Sequence, residues 1–190
     1  MGSLGPVFAT DAGFVALTAA NPANWNNSPL CEPVVWFSED GSTWTLVSRD
    51  SPFGKGAVVQ DVASRGGRHV AVGAVGTTGG AVWVSDDGLA WERLPTLEWP
   101  EPCQETDCVA ANFGLMGDVA ADESGWMMVG WDGAAWTSAD GRTWQPLRGW
   151  PEIRGGYMSP SLSLGPGTIV ASGSLPGPWH QVVVVGTIQP

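Results

Sequence analysis

A seven-residue pattern, Ser-x-Asp-Gly-x-x-Trp, is written three times in this chain. The copies are Ser38-Glu-Asp-Gly-Ser-Thr-Trp44, Ser85-Asp-Asp-Gly-Leu-Ala-Trp91 and Ser138-Ala-Asp-Gly-Arg-Thr-Trp144. Another tryptophan stands two residues before each copy, at Trp36, Trp83 and Trp136. The starts at 38, 85 and 138 set a period of about 50 residues, the signature of a repeat architecture. A chain written this way must fold as a series of similar units, each burying its apolar face on the next.

The match extends outward from each copy. Val34-Val-Trp-Phe-Ser38, Ala81-Val-Trp-Val-Ser85 and Ala134-Ala-Trp-Thr-Ser138 align, and their β-branched and aromatic content reads as strand. The Asp-Gly step then supplies a tight turn, glycine accepting a positive φ and aspartate bonding nearby N–H groups. After it, Trp44-Thr-Leu-Val, Trp91-Glu-Arg-Leu and Trp144-Gln-Pro-Leu alternate apolar and polar residues, as half-buried strands do. Upstream, Asp61-Val-Ala with Gly67–Gly73 matches Asp118-Val-Ala with Gly125–Gly130, and Val7-Phe-Ala with Gly13–Leu17 matches both. One unit thus holds four short strands. The fourth unit is degenerate: Ser161-Leu-Ser, Thr168–Gly173 and Gln181–Gly186 supply three strands and no corner. No window carries a sustained 3.6-residue apolar period, so no amphipathic helix is expected.

Four-stranded units of this length suit the blades of a β-propeller. The expected fold is all-β, a propeller or partial propeller of about four blades, each a four-stranded antiparallel sheet, with the last blade incomplete. One domain spans 1-190, with blades at approximately 3-50, 57-97, 112-149 and 157-190.

The heptapeptide resembles the Asp-box, or bacterial neuraminidase repeat, of sialidase-like propellers and of propellers of the photosystem assembly factor type. Gly125-Trp-Met-Met-Val-Gly130 followed by Trp136–Trp144 is especially similar to the latter. These copies have one residue fewer between aspartate and tryptophan than the usual Asp-box, which favours a generic repeat over a close sialidase relative. The resemblance implies that the boxes lie away from any active site. Ser38, Asp40, Gly41, Trp44, Ser85, Asp87, Gly88, Trp91, Ser138, Asp140, Gly141 and Trp144 are accordingly read as structural.

Charge narrows the partners. Lys+Arg 8 against Asp+Glu 19 gives a net charge of −11, which repels phosphate backbones and anionic membranes. No apolar stretch approaches the ~20 residues of a membrane span, and the N-terminus lacks a basic region followed by an apolar core. The three cysteines are an odd number. Cys103 and Cys108 flank a short polar loop and form the first candidate disulfide, which would imply an oxidising, extracellular or cell-surface location. Three unpaired thiols, with Cys31, are the alternative. No metal site is supported, because there is no CxxC and only two histidines, His69 and His180, are present. No cofactor is expected.

Strand phase sorts the remaining residues. The corners join strands 3 and 4, on the face opposite the 2→3 and 4→1 connections. Trp126 and the six in-phase tryptophans are expected to be core. Trp25, Trp99, Trp131, Trp150 and Trp179 follow no repeat position and fall in or beside the longer connections. They are the candidate ligand surface, since flat aromatic rings suit sugars or a protein partner, with capping of the blade ends as the alternative. Asp61 and Asp118 share one slot near the start of the innermost strand. There a carboxylate either meets a ligand or bonds the backbone of the next blade.

The expected function is a non-catalytic binding or scaffold module for carbohydrate or protein. The rival is a sialidase-like glycoside hydrolase, or an inactive remnant of one, for which Tyr157, Glu152 and Arg154 are weak candidates. That resemblance also implies three clamping arginines, and no competent triad is visible. Open arcs expose apolar faces that soluble chains avoid. Closure is expected from missing blades, from a second copy or from a strained four-bladed ring, the first two being favoured by the absent last strand.

Overall fold

A computed structural model describes residues 3–19, 33–76, 79–95, 97, 116–130, 134–147, 161–165, 168–175 and 180–187. Every regular element among them is a strand. Blade 1 contains β1 (Ser3–Thr10), β2 (Gly13–Ala19), β3 (Val35–Ser38) and β4 (Thr45–Leu46). Blade 2 contains β5 (Ala57–Arg65), β6 (Arg68–Val75), β7 (Gly79–Ser85) and β8 (Glu92–Arg93). Blade 3 contains β9 (Met116–Asp122), β10 (Gly125–Gly130), β11 (Ala135–Ser138) and β12 (Gln145–Pro146). Blade 4 contains, among the described residues, β13 (Ser161–Gly165), β14 (Thr168–Leu175) and β15 (His180–Thr187). Each blade is an antiparallel meander in which sequence neighbours pair. The innermost strands pack in the order β1, β5, β9, β13.

Side-chain alternation divides every sheet into two faces. Trp36, Trp83 and Trp136 pair across the sheet with Ala16, Ala71 and Met128. In blades 2 and 3 this face turns to the preceding blade. Ala71, Trp83 and Val59 join Val15, Leu17 and Val35 in the core between blades 1 and 2. Val119, Met128 and Trp136 join Val70, Val72 and Val84 between blades 2 and 3. Leu162, Ile169 and Ala171 meet Met127, Val129 and Ala135 between blades 3 and 4. The core is therefore three apolar sandwiches stacked around an arc, as a propeller requires.

The three innermost strands of blades 1 to 3 carry a bulge in the same phase: between Leu4 and Val7, between Val59 and Asp61, and between Met116 and Asp118. The extra residue re-aims the next side chain along the strand, and in blades 2 and 3 that side chain is an aspartate. Gly73 pairs with Val59 at the bulge of blade 2, where the Val58 carbonyl comes so near that a Cβ has no room.

Candidate functional site

The corners are built alike. In each, the serine Oγ donates to the aspartate Oδ1, at 3.1, 3.0 and 3.0 Å for Ser38, Ser85 and Ser138. The same hydroxyl accepts the glycine N–H at 2.8–2.9 Å. Aspartate Oδ1 accepts the next two N–H groups, those of Ser42 and Thr43, Leu89 and Ala90, or Arg142 and Thr143. The tryptophan Nε1 donates back to the glycine carbonyl at 3.0–3.2 Å. Gly41, Gly88 and Gly141 sit at φ 72–76°, where a Cβ is strained.

These bonds fix the carboxyls in the ionised form. The backbone N–H groups of Thr43 and Ser42 hold Asp40 far below the usual carboxylate range. Those of Thr143 and Arg142 lower Asp140 to about 2. Burial pushes Asp87 up, but the bonds from Ala90 and Leu89 outweigh it and lower its pKa. A carboxylate so engaged is a poor general acid.

The two bulge aspartates differ. Asp61 Oδ2 accepts the Val119 N–H of blade 3 at 3.0 Å. Asp118 Oδ2 accepts the Leu162 N–H of blade 4 at 2.8 Å, and its Oδ1 accepts the N–H of Val119, the next residue along its own strand, at 2.8 Å. Each carboxyl ties its blade to the next. Burial, then hydrogen bonding to Asp61 and that group's charge, pushes Asp118 up to about 8, against the opposing pull of the two backbone N–H groups. Asp118 thus keeps its proton to a higher pH than an ordinary carboxyl, at the inner edge of the arc.

On the corner face, an open groove of about 970 Å³ runs between blades 2 and 3. Its arginines are engaged by the fold. Arg65 donates to the Ala139 and Glu123 carbonyls, and Arg68 to Asp86 and the Asp140 carbonyl. Arg142 bridges Glu92 at 2.7 Å. Exposed pairs of this kind contribute about 0–1 kcal/mol each. His69 is buried beside Ser64, whose Oγ lies 2.7 Å from Nδ1, and packs on Phe8. Burial lowers its pKa, so it is neutral at pH 7.

Sequence reasoning brought Asp61 and Asp118 forward because they recur in phase. It missed Phe53, whose carbonyl accepts Trp83 Nε1 at 3.2 Å and whose ring packs on Trp83 and Trp91. It also missed the Arg65–Arg68 clasp. Neither repeats, and repetition was the available signal. Trp25, Trp99, Trp131, Trp150, Trp179, Tyr157, Glu152, Arg154, Cys31, Cys103 and Cys108 lie outside the described residues. Among the described residues no cluster of three His, Cys, Asp or Glu is placed to hold a metal, and no helix is long and apolar enough to cross a membrane.

No protein-family model matches the sequence, and no curated protein does either. Solved structures do. YCF48 from Cyanidioschyzon merolae superposes with a TM-score of 0.58 at 16% identity, over 96% of this chain and 56% of that one. YCF48 bound to D1 peptide gives 0.55 at 18%, over 95% and 53%. Trypanosoma rangeli sialidase with 2,3-difluorosialic acid gives 0.62 at 16%, over 97% and 36%. The fold is that of a sialidase-like, YCF48-like β-propeller. This propeller chain spans about half the length of the YCF48 chains and about a third of the sialidase. Identities this low carry the fold and no activity.

Proposed function

We propose that this propeller is a non-catalytic binding or scaffold module whose ligand, a carbohydrate or a protein segment, meets the face opposite the corners. One observation carries the reading. The carboxyls that recur in phase are bonded to backbone N–H groups, the three corner aspartates within their own turns and Asp61 and Asp118 on Val119 and Leu162. They hold the scaffold. The binding surface then belongs to the sequence that does not repeat, and Trp25, Trp99, Trp131, Trp150 and Trp179 are its aromatic candidates. One solved neighbour is bound to a peptide and another to a sialic acid derivative, so both ligand classes suit the fold.

The second reading is a sialidase-like glycoside hydrolase. The raised pKa of Asp118 favours it, because a carboxyl protonated at neutral pH is what a general acid requires. A panel of fluorogenic glycosides, run beside glycan and peptide arrays, separates the two. Array binding that falls in Trp99→Ala or Trp179→Ala, without turnover, is the expected result. Turnover abolished by Tyr157→Phe or Asp118→Asn defeats the binding-module reading.

A location outside the cytoplasm is the corollary of the proposed Cys103–Cys108 disulfide. Alkylation of the unreduced, denatured protein is expected to label one of its three cysteines. Labelling of all three removes that support.

A further inference from the structure

The joint between blades obeys one rule. In blades 2 and 3 the corner glycine seats on the inner strands of the blade before it. A Cβ on Gly88 would meet Val15, Phe8 and Thr10 of blade 1 at 3.0–3.1 Å. A Cβ on Gly141 would meet Val70 of blade 2 at 3.0 Å and Arg68 at 3.3 Å. Val15 and Val70 occupy the same slot, two residues into strand 2, paired to Phe8 and Ala63. The receiving half of the joint is therefore a valine, and the inserted half is a corner.

Both halves recur without a mate at the ends of the arc. Gly41 has the same positive φ as the other two corner glycines, yet a Cβ there would meet only Phe14 of its own blade. Trp36 and Trp44 are half-buried, whereas Trp83, Trp136, Trp91 and Trp144 are buried. Phe14 is 39% exposed. At the other end Val170 fills the slot of Val15 and Val70, two residues into β14 and paired to Ser163. It is 37% exposed, and Val183 and Val185 beside it on β15 are 60% and 67% exposed. Among the described residues β13 and β1 do not share the packing that joins β1 to β5, β5 to β9 and β9 to β13.

We propose that a second copy of this chain closes the ring, the Gly41 corner of each copy seating on Val170 of the other. A foreign partner would have to reproduce both a corner and a receiving valine, and this chain already carries both. Two identical joints satisfy both copies through one twofold axis. The apolar faces removed from water are of the kind soluble chains do not leave open.

Sedimentation velocity of the 19.8 kDa chain tests this over a wide concentration range. The wild-type protein is expected to sediment as a dimer. Phe14→Glu and Val170→Lys each place an unpaired charge in both joints and should weaken association by about 100-fold or more. Both sites are part-exposed, so the variants should keep the wild-type far-UV spectrum; Val183→Lys, on the same exposed sheet, replaces Val170→Lys where that variant does not. Mixing Phe14→Glu chains with Val170→Lys chains should restore the dimer, because that pair has one wild-type joint and one Glu–Lys joint. A wild-type protein that stays monomeric overturns the proposal, as closure by further blades would predict. So does a dimer untouched by Phe14→Glu, or a mixture that remains dissociated.

Discussion

The corners of blades 1 and 3 have the same chemistry and opposite surroundings. In both, a serine hydroxyl, an aspartate carboxylate and a tryptophan Nε1 close the turn at nearly equal distances. Yet Gly141 and Trp144 are buried against blade 2, while Gly41 is exposed and Trp44 only half-buried. The turn is thus made by its own seven residues, and the neighbouring blade contributes burial alone. Local bonds set the geometry, and the stacking decides how much each corner adds to stability.

The largest expected contrast is at the strand-3 tryptophans. Trp83→Ala empties a fully buried site and should cost about 3–5 kcal/mol in denaturant unfolding. Trp36→Ala should cost less than half as much in the isolated chain, and equal losses would break the comparison. Next come the corner glycines. Gly41→Ala meets only the strain of a left-handed backbone, about 1–2 kcal/mol. Gly141→Ala adds overpacking against Val70 and Arg68, a further ~1–3 kcal/mol. A smaller effect sharpens the local half of the contrast. Ser38→Ala and Ser138→Ala should each cost about 1–2 kcal/mol and agree with one another, since their bonds stay inside the turn. A clear excess at Ser138 would show that the neighbouring blade supports the turn itself.

The remaining expected effects are pH slopes, and their signs differ. Asp140 has a lowered folded pKa, so its contribution is present above the ordinary carboxylate range and is lost as pH falls towards about 2. Asp118 has a raised one. The folded chain then binds more protons than the unfolded chain between the ordinary range near 4 and about 8, so stability declines as pH rises through that window. Asp118→Asn should flatten this decline in melting temperature against pH. An unchanged slope would place the titrating group elsewhere.

Much of the fold was legible because it is written in short-range chemistry. Ser-x-Asp-Gly-x-x-Trp encodes a turn whose partners lie within seven residues, so one line of sequence shows the whole device. Strand order came from counting between corners, and the three-stranded blade 4 from the absence of a fourth corner. Contacts made once by tertiary packing were not legible. Phe53 lies in an unremarkable Ser-Pro-Phe-Gly stretch and gains its role only when Trp83 and Trp91 close over it. The uses of Asp61 and Asp118 were open in the sequence, either ligand or neighbouring backbone. Only the placement of Val119 and Leu162 shows which bonds are present. The protonation of Asp118 depends on burial and on the distance between two blades, and no pattern reports either.

The bulge before Asp61 and Asp118 has a mechanical consequence. It sets a carboxyl of one blade across the joint onto the first strand of the next, so the inner rim is stitched blade to blade while the outer strands β4, β8 and β12 are only two residues long. Prising blades 2, 3 and 4 apart at the axis therefore means breaking a carboxyl-to-backbone bond at each joint as well as separating the apolar faces.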